Sequence, residues 1–244
     1  MKKITVSFLL LAAISFYSLA FAQTKIDQSE ISSSVQELTD FHDIIYPMWH
    51  DAYPSKDYEK LKSFVPMIKT SVEAINKAKL PGILREKQAA WKSQLDELNK
   101  SAQNYYTAAG NGDNNALLEA AEKLHMNYEK MVRVIRPALK ELDDFHQDLY
   151  VIYHKLLPES KFSEIEGMTD VLISKSQVLV NYPHDKLPKR LGDKIPKYDA
   201  CAKKLYDECV ALKEVLKGKD AEKKKAAVES MHSAYESLDA VFKL

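Results

Sequence analysis

Glu37-Leu38-Thr39-Asp40-Phe41-His42 returns 104 residues later as Glu141-Leu142-Asp143-Asp144-Phe145-His146. Eight residues after each copy stands a second histidine, His50 and His154. A third closes each half, in Leu124-His125-Met126-Asn127-Tyr128-Glu129 and in Met231-His232-Ser233-Ala234-Tyr235-Glu236. Six of the seven histidines therefore occupy three repeated positions. One plan has been used twice, and the plan contains three imidazoles.

The helical pattern follows from composition and punctuation. Only 6 glycines in 244 residues, with abundant Ala, Leu, Lys and Glu, point to an all-α chain. Four helices are expected per copy: 31–52, 57–79, 84–109 and 114–136, then 138–156, 161–180, 192–217 and 220–243. The breaks fall at Tyr53-Pro54-Ser55 and Leu157-Pro158-Glu159, at Leu80-Pro81 and Leu187-Pro188, and at Gly110-Asn111-Gly112-Asp113 and Gly218-Lys219-Asp220. The spacing between copies is 104 residues at the first histidines and 107 at Pro81/Pro188 and His125/His232, which places an insertion around Asn181-Tyr182-Pro183-His184. Short connections favour antiparallel neighbours, so the expected architecture is two tandem antiparallel four-helix bundles related by duplication, 23–136 and 137–244. Arg136-Pro137 marks the join, where proline either starts a helix or kinks one continuous helix shared by both bundles. Pro47 and Pro66 interrupt predicted helices of the first copy only. Pro47 is expected to change the relative aim of His42 and His50.

The first residues read as a secretory signal peptide, 1–22. Lys2 and Lys3 precede an apolar run from Val6 to Ala20, and Ala20-Phe21-Ala22 has the small-x-small form of a cleavage site. No cysteine follows to carry a lipid. The mature chain is expected to be exported, periplasmic or secreted, without a membrane span. Lys+Arg and Asp+Glu balance at 35 each, so there is no electrostatic footprint for nucleic acid. Cys201 and Cys209 lie eight apart on one predicted helix, about 12 Å at 1.5 Å per residue, too far for a disulfide.

On the first helix the apolar stripe is Leu38, Phe41, Ile45, Met48, Trp49 and Ala52, with His42 on its flank and His50 further toward solvent. On the fourth helix it is Leu117, Ala121, Leu124, Tyr128, Val132 and Ile135, with His125 on its flank beside Glu122 and Glu129. First and fourth helices of a bundle are neighbours, so His42 is expected near His125 and His146 near His232. Imidazole is the commonest protein metal ligand, and a zinc or copper site takes three or four donors. His42, His125 and Glu129 form the candidate set of the first copy, and His146, His232 and Glu236 that of the second. His50 and His154 are candidates for a second, more exposed site near the bundle end. The competing expectation is an interaction scaffold whose histidines are structural. No nucleophile motif, phosphate loop or catalytic glycine turn occurs, so no enzyme activity is expected.

The segments Ala120-Ala121-Glu122-Lys123-Leu124-His125-Met126-Asn127-Tyr128 and Ala226-Ala227-Val228-Glu229-Ser230-Met231-His232-Ser233-Ala234-Tyr235 resemble the haem-ligating fourth helix of the cytochrome c-prime and soluble haem-b four-helix-bundle cytochromes. By position, His42 and His146 stand where the haem-b members carry their other axial ligand. The resemblance implies one haem b per bundle, held non-covalently by His42/His125 and by His146/His232, and a role in electron transfer. The thiols of Cys-x-x-Cys-His are replaced by Ala121 and Leu124, and by Val228 and Met231, so covalent attachment through that motif is excluded.

Overall fold

A computed structural model describes residues 27–243. The expected signal peptide, 1–22, lies outside the described residues. Among the described residues the chain is helical throughout, with no strand. The α-helices are α1 Gln36–Pro47, α2 Tyr58–Ser63, α3 Val65–Lys77, α4 Gln88–Asn111 and α5 Asn114–Ile135, then α6 Lys140–Val151, α7 Phe162–Val180, α8 Ile195–Leu216 and α9 Ala221–Asp239. No described helix is long and apolar enough to cross a membrane.

The helix ends are where the sequence punctuation puts them, for local reasons. Asp57, Asp113 and Asp220 cap α2, α5 and α9 by accepting backbone N–H bonds from the first turn. Gly112 ends α4 in the left-handed conformation at φ 74°, which glycine adopts without a Cβ penalty. The expected helix 57–79 is two helices, α2 and α3, because Pro66 sits at the start of α3 and supplies no N–H to the preceding turn. Its counterpart α7 has no proline and runs unbroken.

Of the two alternatives at the join, one helix shared by both halves does not form. Arg136 is extended (φ −60°, ψ 128°), as a residue before proline prefers. Leu139 is extended as well (φ −135°, ψ 142°), and α6 starts afresh after it.

Both first helices end in a π-helical turn, Met48–Ala52 after α1 and Ile152–Leu156 after α6. The wider turns are closed by Tyr53 N–H to Met48 C=O (2.9 Å) and Asp57 N–H to Ala52 C=O (3.0 Å), and by Leu157 N–H to Ile152 C=O (2.8 Å) and Lys161 N–H to Leu156 C=O (3.0 Å). Each is followed by a residue with φ 54°, Lys56 and Ser160. All of these pairs are 104 residues apart. Pro47 is therefore not what makes the turn, since the second half builds the same one with Val151 in the proline's place.

Within the first half α1 packs on α3, α3 on α4, α4 on α5, and α5 returns to α1. Within the second, α6 packs on α7, α7 on α8, α8 on α9, and α9 returns to α6. Each half closes around its own apolar core. Phe41, Ile45, Leu98 and Leu124 are fully buried in one, and Phe145, Leu172, Leu205 and Leu238 in the other. The two fully buried tyrosines pair their hydroxyls, Tyr105 to the Leu61 carbonyl (2.5 Å) and Tyr198 to the Leu179 carbonyl (2.7 Å).

The halves interlock. Tyr150 of α6 inserts into the first core, and Ile31 packs against both cores. The Tyr150 hydroxyl accepts from Arg85 Nη2 at 2.6 Å and donates to Glu30 Oε2 at 3.0 Å. Lys155 adds an ion pair to Glu30 at 2.7 Å. Arg85 lies on the 3-10 turn Gly82–Lys87, and Gly82 is pressed so closely to Tyr150 that a Cβ there would meet its hydroxyl at 2.0 Å.

Candidate functional site

The repeated histidines sit in two matching stacks of rings, one per half. Residues four apart on a helix lie one above the other. In the first half His42, Tyr46 and His50 accordingly form a ladder, with ring centroids 5.6 and 4.4 Å apart. Trp49 and Tyr53 stack beside them at 4.3 Å. From α5, His125 lies flat on Trp49, 4.2 Å away and within 4° of parallel. Tyr128 approaches His42 at 6.1 Å and meets Phe41 edge to face.

The second half repeats the arrangement. His232 lies flat on Tyr153 (3.9 Å, 13°), Tyr150 packs on His154 (4.8 Å), and His146 stacks on Tyr235 (4.6 Å, 19°). Trp49/His125 thus corresponds to Tyr153/His232, Tyr46/His50 to Tyr150/His154, and His42/Tyr128 to His146/Tyr235. A hydroxyl from the first helix reaches a carboxylate of the fourth in both halves: Tyr53 to Glu122 at 3.4 Å and Tyr153 to Glu229 at 2.9 Å. The donor shifts by one turn because Trp49 carries no hydroxyl.

Electrostatics adds a pairing. Burial lowers the His125 pKa; Glu129 opposes the shift and the imidazole of His50 reinforces it. His154 is pushed down to about 4 by burial first, then by Arg85 and by His232. His50 thus acts on His125, and His232 on both His154 and His146. His146 is held at about 4, chiefly by burial against a counteracting Asp239, with His232 and Lys87 contributing. Glu129 is drawn toward Arg133 at 3.7 Å, whereas its counterpart Glu236 faces His232 Nδ1 at 3.8 Å.

The halves differ in cover. His42, Tyr46 and His50 are exposed, Tyr46 by 52%. Their counterparts His146, Tyr150 and His154 are less exposed, and Arg85 of the Gly82–Lys87 turn bonds both Tyr150 and His154. Arg85 Nη1 lies 3.1 Å from His154 Nδ1. A guanidinium can only donate, so Nδ1 accepts and the ring proton of neutral His154 resides on Nε2.

Among the described residues no three His, Cys, Asp or Glu side chains converge as a group that could hold a metal ion. The recurring unit is a pair of imidazoles backed by aromatic rings. Those ring partners were absent from the candidate set drawn from sequence. Their signal was there: Tyr46/Tyr150, Trp49/Tyr153 and Tyr128/Tyr235 repeat at the same spacings as the histidines. Cys201 and Cys209 are free thiols on α8; burial pushes Cys209 up to about 12. No protein-family model, no curated protein and no solved structure matches the chain.

Proposed function

We propose that this is an exported protein made by duplication of a four-helix bundle, and that it binds a transition-metal ion, zinc or copper, through its repeated imidazole pairs. The observation carrying this reading is the recurrence of one arrangement in both halves: a histidine from a π-helical turn tilted against a tyrosine one turn earlier, and a histidine of the last helix, within its electrostatic reach, lying flat on an aromatic ring. Stacking fixes the plane of an imidazole and leaves its in-plane nitrogens available, and the lone pair that binds a metal lies in that plane. π-helical turns are frequent at functional sites, and this one is kept twice.

The ion is placed on His50 and His125 in the first half, with Glu129 or Glu122 and solvent completing the shell. The corresponding second-half set is His154, His232 and Glu236. His42 and His146 flank the pairs without being required by them. The first-half pair is open to solvent. In the second half Arg85 occupies the His154 lone pair, so the two halves differ in readiness.

The bis-histidine haem reading uses His42/His125 and His146/His232 instead, and the two are separated by one experiment. The full chain is dialysed against zinc, copper or haem, and bound metal is measured by plasma mass spectrometry alongside the absorption spectrum. The proposal expects about one zinc or copper ion per chain, lost in His50→Ala/His125→Ala and kept in His42→Ala. A Soret band that disappears in His42→Ala would place haem there instead. Binding of neither would leave the histidines a structural role.

A further inference from the structure

A second site lies where the halves meet, and it differs in chemistry from the imidazole pairs. A cavity of about 430 Å³ opens between the Gly82–Lys87 turn, the Arg136–Leu139 connection, α6 and the end of α9. That volume lies in the range of small-molecule pockets, which favour interfaces between domains. Ile83, Leu84, Leu139, Leu142 and Phe242 give it apolar walls.

His146 and Tyr235 line it together, stacked at 4.6 Å. Tyr235 is only 8% exposed, and its hydroxyl and the nitrogens of His146, which make no hydrogen bond among the described residues, lie on the cavity side. Polar atoms left without a protein partner on an otherwise apolar cavity wall are where a ligand's hydrogen-bonding group is oriented. An imidazole and a phenol stacked together offer both a donor and an acceptor to a ligand.

The charged groups facing the cavity are Glu86, Lys87, Arg136, Asp143, Asp239 and Lys243, three of each sign. Most are already engaged within the protein. Lys243 pairs with Asp239 at 2.7 Å, and Lys87 donates to the Ile135 carbonyl at 3.2 Å. Asp143 accepts from Ser33 and Gln147. Glu86 and Arg136 are exposed at the rim. The charges facing the cavity balance, and a neutral ligand leaves the interior pairs intact.

We infer that this cavity binds a neutral, mainly apolar small molecule carrying a hydroxyl or carbonyl, which hydrogen-bonds to His146 and Tyr235. The first half has no equivalent, because His42 is exposed where His146 is covered. The cavity is thus a product of joining two copies.

The probe is 4-methylphenol, titrated into the metal-free full-length chain by calorimetry and by the imidazole resonances of His146. 4-Methylbenzoate and 4-methylbenzylamine serve as charged controls. Saturable binding that moves the His146 resonances is expected, with the charged analogues at least tenfold weaker. Tyr235→Phe keeps the ring stack and should weaken binding about fivefold to tenfold. Ala90→Trp, at an exposed position on the cavity rim, should block binding while leaving the thermal transition unchanged. Absence of binding at millimolar probe overturns the inference. So does tighter binding of either charged analogue, or binding indifferent to both substitutions.

Discussion

A neutral imidazole has one lone pair to give, and Arg85 takes that of His154. With Nδ1 accepting from the guanidinium and Nε2 protonated, neither nitrogen of His154 is free to hold a metal ion. Among the described residues His50 has no such neighbour, since at the 107-residue spacing the counterpart of Arg85 is Gly192, which has no side chain. Arg85→Ala is therefore expected to raise bound zinc or copper from about one to about two ions per chain in the dialysis measurement, the second lost again in Arg85→Ala/His154→Ala. A count unchanged by Arg85→Ala would remove the guanidinium as the reason for the difference. At this scale the sequence revealed the histidines but not their surroundings. Repetition marks a residue whatever it touches. The partner of His154 comes from a turn 69 residues away, which no periodicity within a helix can indicate.

At the scale of elements, the ends of helices decide where the imidazoles point. Regular 3.6-residue spacing turns His50 toward solvent, away from the fourth helix. The π-helical turn at Met48–Ala52 takes more residues per revolution and sets His50 within electrostatic reach of His125. Proline punctuation made the breaks legible, and Pro66 and Pro137 act locally as proline must. The π-helical turn was not legible, because Pro47 offered a ready cause and the second half shows the turn without it.

The 3-10 turn Gly82–Lys87 is the other decisive element. Gly82→Ala would press a methyl group onto Tyr150, whose ring is buried and whose hydroxyl is held by Arg85 and Glu30. A loss of about 1–3 kcal/mol is expected in urea unfolding. The loss should be smaller when Gly82→Ala is made in a Tyr150→Phe background, since the atom 2.0 Å away is then gone. Additive losses in the double variant would contradict the close contact as the cause.

The whole molecule is two helical rings of neighbours with one shared seam. Apolar periodicity, few glycines and short connections made the helical class and the helix order readable, because amphipathic helices must bury their stripes against adjacent ones. The seam was not readable. It rests on Tyr150 and Ile31 crossing between cores and on a cavity floored by His146, and each depends on how two finished halves meet. The seam makes stability depend on pH. His146 has a folded-state pKa of about 4 against an ordinary 6.5, so the unfolded chain binds its proton more readily. The stabilisation from keeping this ring neutral is complete above about pH 6.5 and falls as pH drops, with none left below about pH 4. It amounts to something on the order of 3 kcal/mol. Urea unfolding of the metal-free chain between pH 7 and 4 should show this slope, and His146→Gln should flatten it. An equal slope in His146→Gln would mean that other groups carry the acid sensitivity.

The most direct test of the central claim is a crystal of the full chain soaked in zinc and measured across the zinc absorption edge. The account predicts an anomalous peak at the first-half stack, about 2.1 Å from one nitrogen each of His50 and His125. A zinc ion bound elsewhere, with those two imidazoles unliganded, would contradict it.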